Sequence, residues 1–268
     1  MNYQTFGNGK TDLIFLHGWG ADISAFLFVA KQIMSLQNCL KGASEGASKS
    51  TCLKSDFGFR VTLVDFAGFG KSEEPPHPYS VKNYAGDILR LMEILEINSA
   101  ILVGHSFGGR VSMEIAANYP HRVKKLVLID SAGLKPRRKP SYYIKIWTHK
   151  FLKKLGFRGL GGSKDYKALS PLMKDTFKKV VNYDQSNLLP NIECPTAIFW
   201  GRKDKETPLY MAKRLNKGIK DSMVFWLDGG HFSYAEDFSK FFPIFYAFIS
   251  TEDKKSSDKA DCNGGGRK

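Results

Sequence analysis

The run Gly104-His105-Ser106-Phe107-Gly108-Gly109 follows the apolar stretch Ala100-Ile101-Leu102-Val103 and leads into a helical pattern through Met113, Ile115 and Ala116. A GxSxG sequence at a strand-to-helix junction takes the chain round a sharp turn in strained backbone, so the residues two places either side of the serine must be small. Gly104 and Gly108 meet that demand. The turn presents the Ser106 hydroxyl above the sheet edge. The helix that follows points its N-terminal N–H groups and positive dipole end at any charge that develops there. Such geometry suits acyl chemistry. A glycine-rich loop in another α/β protein shares the local pattern, so the rest of the chain must decide.

The other apolar runs repeat the arrangement. Asp12 to Leu16 reads as a strand that ends in His17-Gly18-Trp19-Gly20, with helical spacing from Ala25 to Leu36. Phe59 to Val64 is a buried strand ending at Asp65-Phe66-Ala67-Gly68-Phe69-Gly70-Lys71-Ser72, and Pro75, Pro76 and Pro78 mark an irregular connection. Ser80 is placed to N-cap a helix whose apolar stripe runs through Ile88, Leu91, Met92 and Leu95. Further strands are Leu126 to Ile129, closed by Asp130-Ser131-Ala132-Gly133; Pro195 to Trp200, reaching Asp204; and Met223 to Leu227, followed by Gly229-Gly230-His231-Phe232. Strands that are apolar throughout and alternate with helices imply a mostly parallel central sheet covered on both faces, an α/β fold. Catalytic groups in such sheets gather at the C-terminal strand ends, where all of these motifs fall.

Between Leu134 and Pro190 the strand signal lapses. Tyr142, Tyr143, Ile146, Trp147, Phe151 and Leu155 give a helix-like apolar face, Gly156 to Gly162 breaks it, and Leu169 to Val181 suggests another helix. The expected organisation is therefore a core of residues 1–133 and 191–250, a helical cap of residues 134–190 laid over the strand ends, and a disordered tail of residues 251–268. Residues 39–56 are small, polar and aperiodic and read as a loop insertion.

The net charge of +14 is concentrated: Lys135 to Lys179 holds fourteen Lys/Arg against two Asp/Glu. A local excess points to a basic face on one module, able to attract an anionic small molecule or an acidic surface, or merely to be solvated. No nucleic-acid motif accompanies it. No stretch is apolar enough for stable membrane insertion, and strand-like sequence begins directly after Met1, so the expectation is a cytoplasmic protein. Cys39, Cys52, Cys194 and Cys262 lack metal-ligand spacing and read as free thiols, with a Cys39–Cys52 bridge as the alternative. Neither a cofactor nor a metal site is expected.

Hydrolysis through a serine needs a base to take the hydroxyl proton and a carboxylate to hold that base in the right tautomer. Ser106, Asp204 and His231 each stand just past a strand, in the order nucleophile, acid, base. Asp130, after the preceding strand, is the rival acid; Glu206 lies further round its loop. The N–H groups of Trp19 and Phe107 are the candidate oxyanion hole, made accessible by the glycines beside Trp19. His17 and His105 read as buried supports of the two loops, and Asp65 as a brace.

On HGWG at His17 to Gly20, DFAGFGKS at Asp65 to Ser72, GHSFGG at Gly104 to Gly109, WGRKDKETP at Trp200 to Pro208 and GGHF at Gly229 to Phe232, the chain resembles the α/β-hydrolase superfamily. Its small, single-cap esterase-like and carbon–carbon-bond hydrolase branches are the nearest in pattern. The resemblance implies a serine hydrolase acting on a carboxylic ester or thioester of a small to medium substrate. It also permits cleavage of a vinylogous 1,5-diketone, acyl transfer, or a ligand sensor that keeps the fold without turnover. A serine nucleophile argues against the dehalogenase and epoxide-hydrolase branches. The 39–56 loop and the basic cap depart from the family pattern.

Overall fold

The computed structural model describes residues 1–45, 58–135 and 168–251, the first of these as backbone alone beyond residue 39. Seven strands form one sheet in the order β1-β3-β2-β4-β5-β6-β7. They are β1 (Tyr3–Phe6), β2 (Thr11–Leu16), β3 (Phe59–Val64), β4 (Ala100–His105), β5 (Val123–Ile129), β6 (Thr196–Gly201) and β7 (Ser222–Leu227). Only the β1–β3 pairing is antiparallel, from Tyr3 opposite Val64 to Phe6 opposite Val61. The other five pairings are parallel, as continuous apolar strands require.

Alternation along each strand divides the core in two. Ile14, Leu16, Leu102, Leu128, Ile198 and Trp200 face one way, into α2 (Val81–Ile94), α3 (Phe107–Asn118) and α5 (Tyr210–Gly218). Leu13, Phe15, Val103, Ile129 and Phe199 face the other way, into α1 (Ser24–Glu45) and α7 (Phe238–Ser250). Among the described residues the remaining α-helices are α4 (Pro171–Asn182) and the single turn α6 (Ser233–Glu236). The central helix α3 is buried from Phe107 to Ala117, which explains its small and apolar composition. Ser80 closes a capping box on α2: its hydroxyl accepts from the Asn83 N–H, and the Asn83 side chain accepts from the Ser80 N–H.

The chain passes from β2 to β3 on one side and then returns across β2 to β4. The strand order therefore reverses between β2 and β4, and the crevice outside their carboxyl ends is where open α/β sheets bind ligands.

One expectation is corrected. Residues 39–45, read as the start of a loop, continue α1 to Glu45. Extending an established helix adds one hydrogen bond for each residue fixed, and Leu40, Lys41, Ala43 and Glu45 favour it, so the penalty of about 1 kcal/mol for Gly42 is absorbed. Residues 46–57, with Cys52, lie outside the described residues, as do Cys262 and the rest of the expected tail from residue 252. So does most of the expected cap, residues 136–167, with its aromatics from Tyr142 to Leu155. Among the described residues no helix is long and apolar enough to cross a membrane.

Candidate active site

Ser106 sits at φ 50°, ψ −108°, between the end of β4 and the first residue of α3. A non-glycine residue there stores about 1–3 kcal/mol of backbone strain, sustained only where the surroundings enforce it. Here they do. A Cβ on Gly104 would lie 2.5 Å from the Gly108 carbonyl oxygen, and one on Gly108 would lie 1.9 Å from the carbonyl oxygen of Leu16 at the end of β2. The Ser106 N–H donates to the Ile129 carbonyl (3.0 Å), and the Ser106 carbonyl accepts from the N–H groups of Gly109 and Ala132 (3.1 and 3.0 Å).

His231 Nε2 accepts from Ser106 Oγ at 2.9 Å, and Nδ1 donates to Asp204 Oδ2 at 2.9 Å. The Asp204 side chain is wholly buried and that of His231 one-tenth exposed. Asp204 is fixed from three further directions: Oδ1 accepts from the N–H groups of Glu206 (2.8 Å) and Thr207 (2.9 Å), and Oδ2 accepts from the Thr207 hydroxyl (2.5 Å). Burial pushes the Asp204 pKa up, but hydrogen bonds from His231 and Thr207 outweigh it, and the carboxyl is held below its ordinary range. Burial likewise lowers the His231 pKa, and the hydrogen bond and charge of Asp204, with a further contribution from Glu206, lift it above the usual histidine value.

The rival acid, Asp130, has other partners. Its Oδ1 accepts from the Gly201 N–H (2.7 Å), and its Oδ2 accepts from the N–H (3.1 Å) and hydroxyl (2.6 Å) of Ser233. It ties the ends of β5 and β6 to the segment two residues beyond His231, and burial pushes its pKa up to about 7. Glu206, by contrast, places Oε2 3.4 Å from His231 Nε2, on the side of the ring that faces Ser106, with its carboxylate largely in solvent.

The supporting residues are where the sequence reading set them. His105 is buried and its Nε2 donates to the His231 carbonyl at 2.6 Å; burial lowers its pKa to about 3, so the ring is neutral. His17 donates from Nδ1 to the Gly18 carbonyl (2.8 Å) and accepts at Nε2 from the Phe66 N–H (3.2 Å). Asp65 accepts from the N–H groups of Ile23 (2.7 Å) and Lys71 (2.9 Å) and from the Asn2 amide (2.7 Å), bracing three segments beside the site.

These features belong together in one lineage. The sequence model of the alpha/beta hydrolase fold matches residues 13–151. The chain belongs to that family. Among relatives of this α/β hydrolase, the AB hydrolase superfamily protein YisY of Bacillus subtilis (strain 168) is 26% identical over 88% of this chain and 90% of its own length. A 2-hydroxy-6-oxononadienedioate/2-hydroxy-6-oxononatrienedioate hydrolase of a Pseudomonas species is 27% identical over 73% of this chain and 78% of its own. In fold it is similar to the enol-lactonase of Burkholderia xenovorans LB400, with a TM-score of 0.68 at 20% identity over 93% of this chain and 96% of that one.

The cavity of this α/β hydrolase encloses about 820 Å³ at the carboxyl ends of β2 and β4, and Trp19, Ser106, Phe107 and His231 all line it. Phe107 is the first residue of α3, so its N–H has no carbonyl four residues back to bond. The loop carrying Trp19 closes on the serine: a Cβ on Gly18 would lie 2.9 Å from His105 Nδ1 and 3.4 Å from Ser106 Cβ. The Trp19 ring packs edge-on against Phe69, Phe107 and Phe177, at 4.9, 5.3 and 5.2 Å between centroids, giving the cavity an apolar wall shared by core and α4. Two charged side chains stand in the lining: Glu206, which the sequence reading named only as a less favoured acid further round its loop, and Arg110, which it did not single out. For Arg110 a signal existed. It is the lone charge among the first seven residues of a buried helix and stands four residues after the serine, on the same helical face.

Proposed function

We propose that the protein is a serine hydrolase that cleaves a carboxylic ester or thioester of a small to medium substrate through an acyl-enzyme on Ser106. The observation that carries this reading is the unbroken hydrogen-bond line from Ser106 Oγ through His231 to Asp204, at 2.9 Å for each link. In the resting tautomer Nδ1 of His231 carries the proton towards Asp204, which leaves Nε2 free to accept the serine proton.

The cycle follows from that arrangement. Ser106 Oγ attacks the carbonyl carbon while His231 Nε2 takes its proton, and the imidazolium so formed is stabilised by the Asp204 carboxylate. The N–H groups of Trp19 and Phe107 bind the oxyanion of the tetrahedral intermediate, and the dipole of α3 reinforces them. His231 returns the proton to the departing alcohol or thiol. Water then attacks the acyl group by the same route, its proton passing through His231 to Ser106 as the ester bond breaks and the acid leaves. In this reading α4 is the described part of the cap, and it reaches the cavity through Phe177 and Val180, with Leu169 just before it.

Hydrolysis of p-nitrophenyl esters of graded acyl length, wild type beside Ser106→Ala, tests the proposal. Turnover that depends on Ser106 and peaks at one chain length supports it; equal rates in the two proteins overturn it. A second reading, carbon–carbon bond hydrolysis of a vinylogous 1,5-diketone, draws on the names of two relatives 26–27% identical to this chain. It predicts Ser106-dependent bleaching of a 2-hydroxy-6-oxo-dienoate and no turnover of any p-nitrophenyl ester.

A further inference from the structure

Arg110 is 7% exposed, yet among the described residues its guanidinium is almost unused. Its side chain has a single hydrogen-bond partner among the described residues: Nη1 donates to the Tyr183 carbonyl at 2.7 Å. That leaves most of its five N–H donors without an acceptor among the described residues. Tyr183 follows the last residue of α4, so this one bond also places positive charge at a helix C-terminus.

Among the described residues no carboxylate pairs with this charge. The nearest in influence, Asp184, makes no ion pair with it and is occupied elsewhere, accepting from the Ser186 hydroxyl (2.7 Å) and from the N–H groups of Ser186 (3.2 Å) and Lys135 (3.3 Å). Glu114, four residues on, accepts instead from Tyr183 Oη (3.0 Å), Gln185 Nε2 (3.3 Å) and Asn118 Nδ2 (3.2 Å). Burial lowers the pKa of Arg110 to about 10, which leaves it a cation at neutral pH. A buried cation with spare donors is costly to keep unless something completes it.

The side chain lines the cavity that holds Ser106, and residues four apart on a helix have Cβ atoms about 5–6 Å from one another. We propose that Arg110 is the specificity-determining anchor for a carboxylate carried by the acyl part of the substrate, so that the carbonyl set at Ser106 belongs to an anionic ester or thioester. The planar fork of an arginine matches a carboxylate in two parallel hydrogen bonds, which a diffuse basic surface cannot do. The apolar wall of Trp19, Phe107 and Phe177 then receives the hydrocarbon between the two groups. This inference rests on the serine-hydrolase reading and adds the substrate class to it.

The test compares p-nitrophenyl monoesters of succinate, glutarate and adipate with the butyrate, valerate and hexanoate esters, each pair exchanging a carboxylate for a methyl group. Salt at about 0.3 M screens the basic segment. For the best pair, the acid-to-methyl ratio of kcat/KM should fall about 10- to 100-fold in Arg110→Gln and by less in Arg110→Lys, which keeps the charge and loses the fork. A ratio unchanged in both variants overturns the proposal, whatever happens to the general rate, because a strut between α3 and α4 would lower both substrates together. If Arg110→Gln does not fold, calorimetric titration of the wild type with glutarate and with glutaramide decides: a Kd about tenfold or more lower for glutarate supports the anchor, and equal values overturn it. Ser106-dependent hydrolysis of the neutral esters reads the underlying reaction separately, so failure of one is told from failure of the other.

Discussion

The serine turn and the histidine loop stand 2.9 Å apart at Ser106 Oγ and His231 Nε2, yet they are held in place by different physics. Ser106 is positioned by exclusion: Gly104 and Gly108 touch backbone so closely that no side chain fits, and the strained φ of 50° has nowhere to relax. His231 is positioned by hydrogen bonds: Asp204 holds its ring, His105 its carbonyl, and Asp130 the serine two residues on. The Gly230 N–H adds a bond to Glu236 Oε2 at 2.8 Å. Steric positioning is set by the packing of β2, β4 and α3 and does not depend on pH. Polar positioning can be tuned by charge, and it leaves the base open to the protonation state of its neighbours. In the proposed cycle the nucleophile gains from rigidity, and the base, which must gain and lose a proton, gains from adjustable surroundings.

The contrast predicts where each region breaks. Gly108→Ala should be the most damaging single change, because its new Cβ meets the Leu16 carbonyl oxygen at 1.9 Å and backbone on both sides must move. A loss above about 4 kcal/mol is expected, read as a collapse of the thermal transition or as insoluble protein. Unchanged melting would mean that exclusion does not hold the turn.

In the histidine loop, Asp204→Asn should leave the fold standing and lower kcat by about 10³–10⁴-fold, because an amide favours the wrong tautomer of His231. Asp130→Asn should do the reverse. It places an amide donor against the donors of Ser233 and Gly201, so denaturant titration should show a loss of about 1–3 kcal/mol, and kcat should fall far less than in Asp204→Asn. Exchange of these two outcomes would make Asp130 the triad acid.

The smallest effect sharpens the comparison most. Glu206 sits 3.4 Å from His231 Nε2 and contributes to its raised pKa. The proposed cycle requires the neutral imidazole, so the acidic limb of kcat/KM should lie above the ordinary histidine value. Removing a neighbouring negative charge favours that neutral form. Glu206→Gln should therefore move the limb to lower pH, by less than about one unit because the carboxylate is exposed and screened. A limb that stays in place would mean that Glu206 does not tune His231.

Much of this was legible because the signals were local. Apolar strands ending in glycine-bracketed motifs fixed the parallel sheet, and the order Ser106, Asp204, His231 followed from which residue types stand just past those strands. The antiparallel edge strand Tyr3–Phe6 and the extension of α1 to Glu45 were harder, because four residues carry little period and a small-residue run reads alike as loop or helix. Chain order sets Asp204 ahead of its rival Asp130, although both follow a strand, and the loop from Gly201 to Thr207 brings the Asp204 carboxylate to Nδ1 of His231. Arg110 was hidden by its setting. A single charge in a helix is ordinary, and its meaning depends on burial and on the partners that its neighbours have already taken.

The central claim is that Ser106 is a nucleophile activated by His231, and covalent trapping reads it without a known substrate. Wild type, Ser106→Ala and His231→Ala would each be incubated with a small alkyl fluorophosphonate and examined by intact-mass and peptide mass spectrometry. The account predicts one adduct per chain in the wild type, located on the peptide that contains Ser106, none in Ser106→Ala and a strongly slowed reaction in His231→Ala. Labelling that persists in Ser106→Ala, or a folded wild type left unmodified, would contradict it.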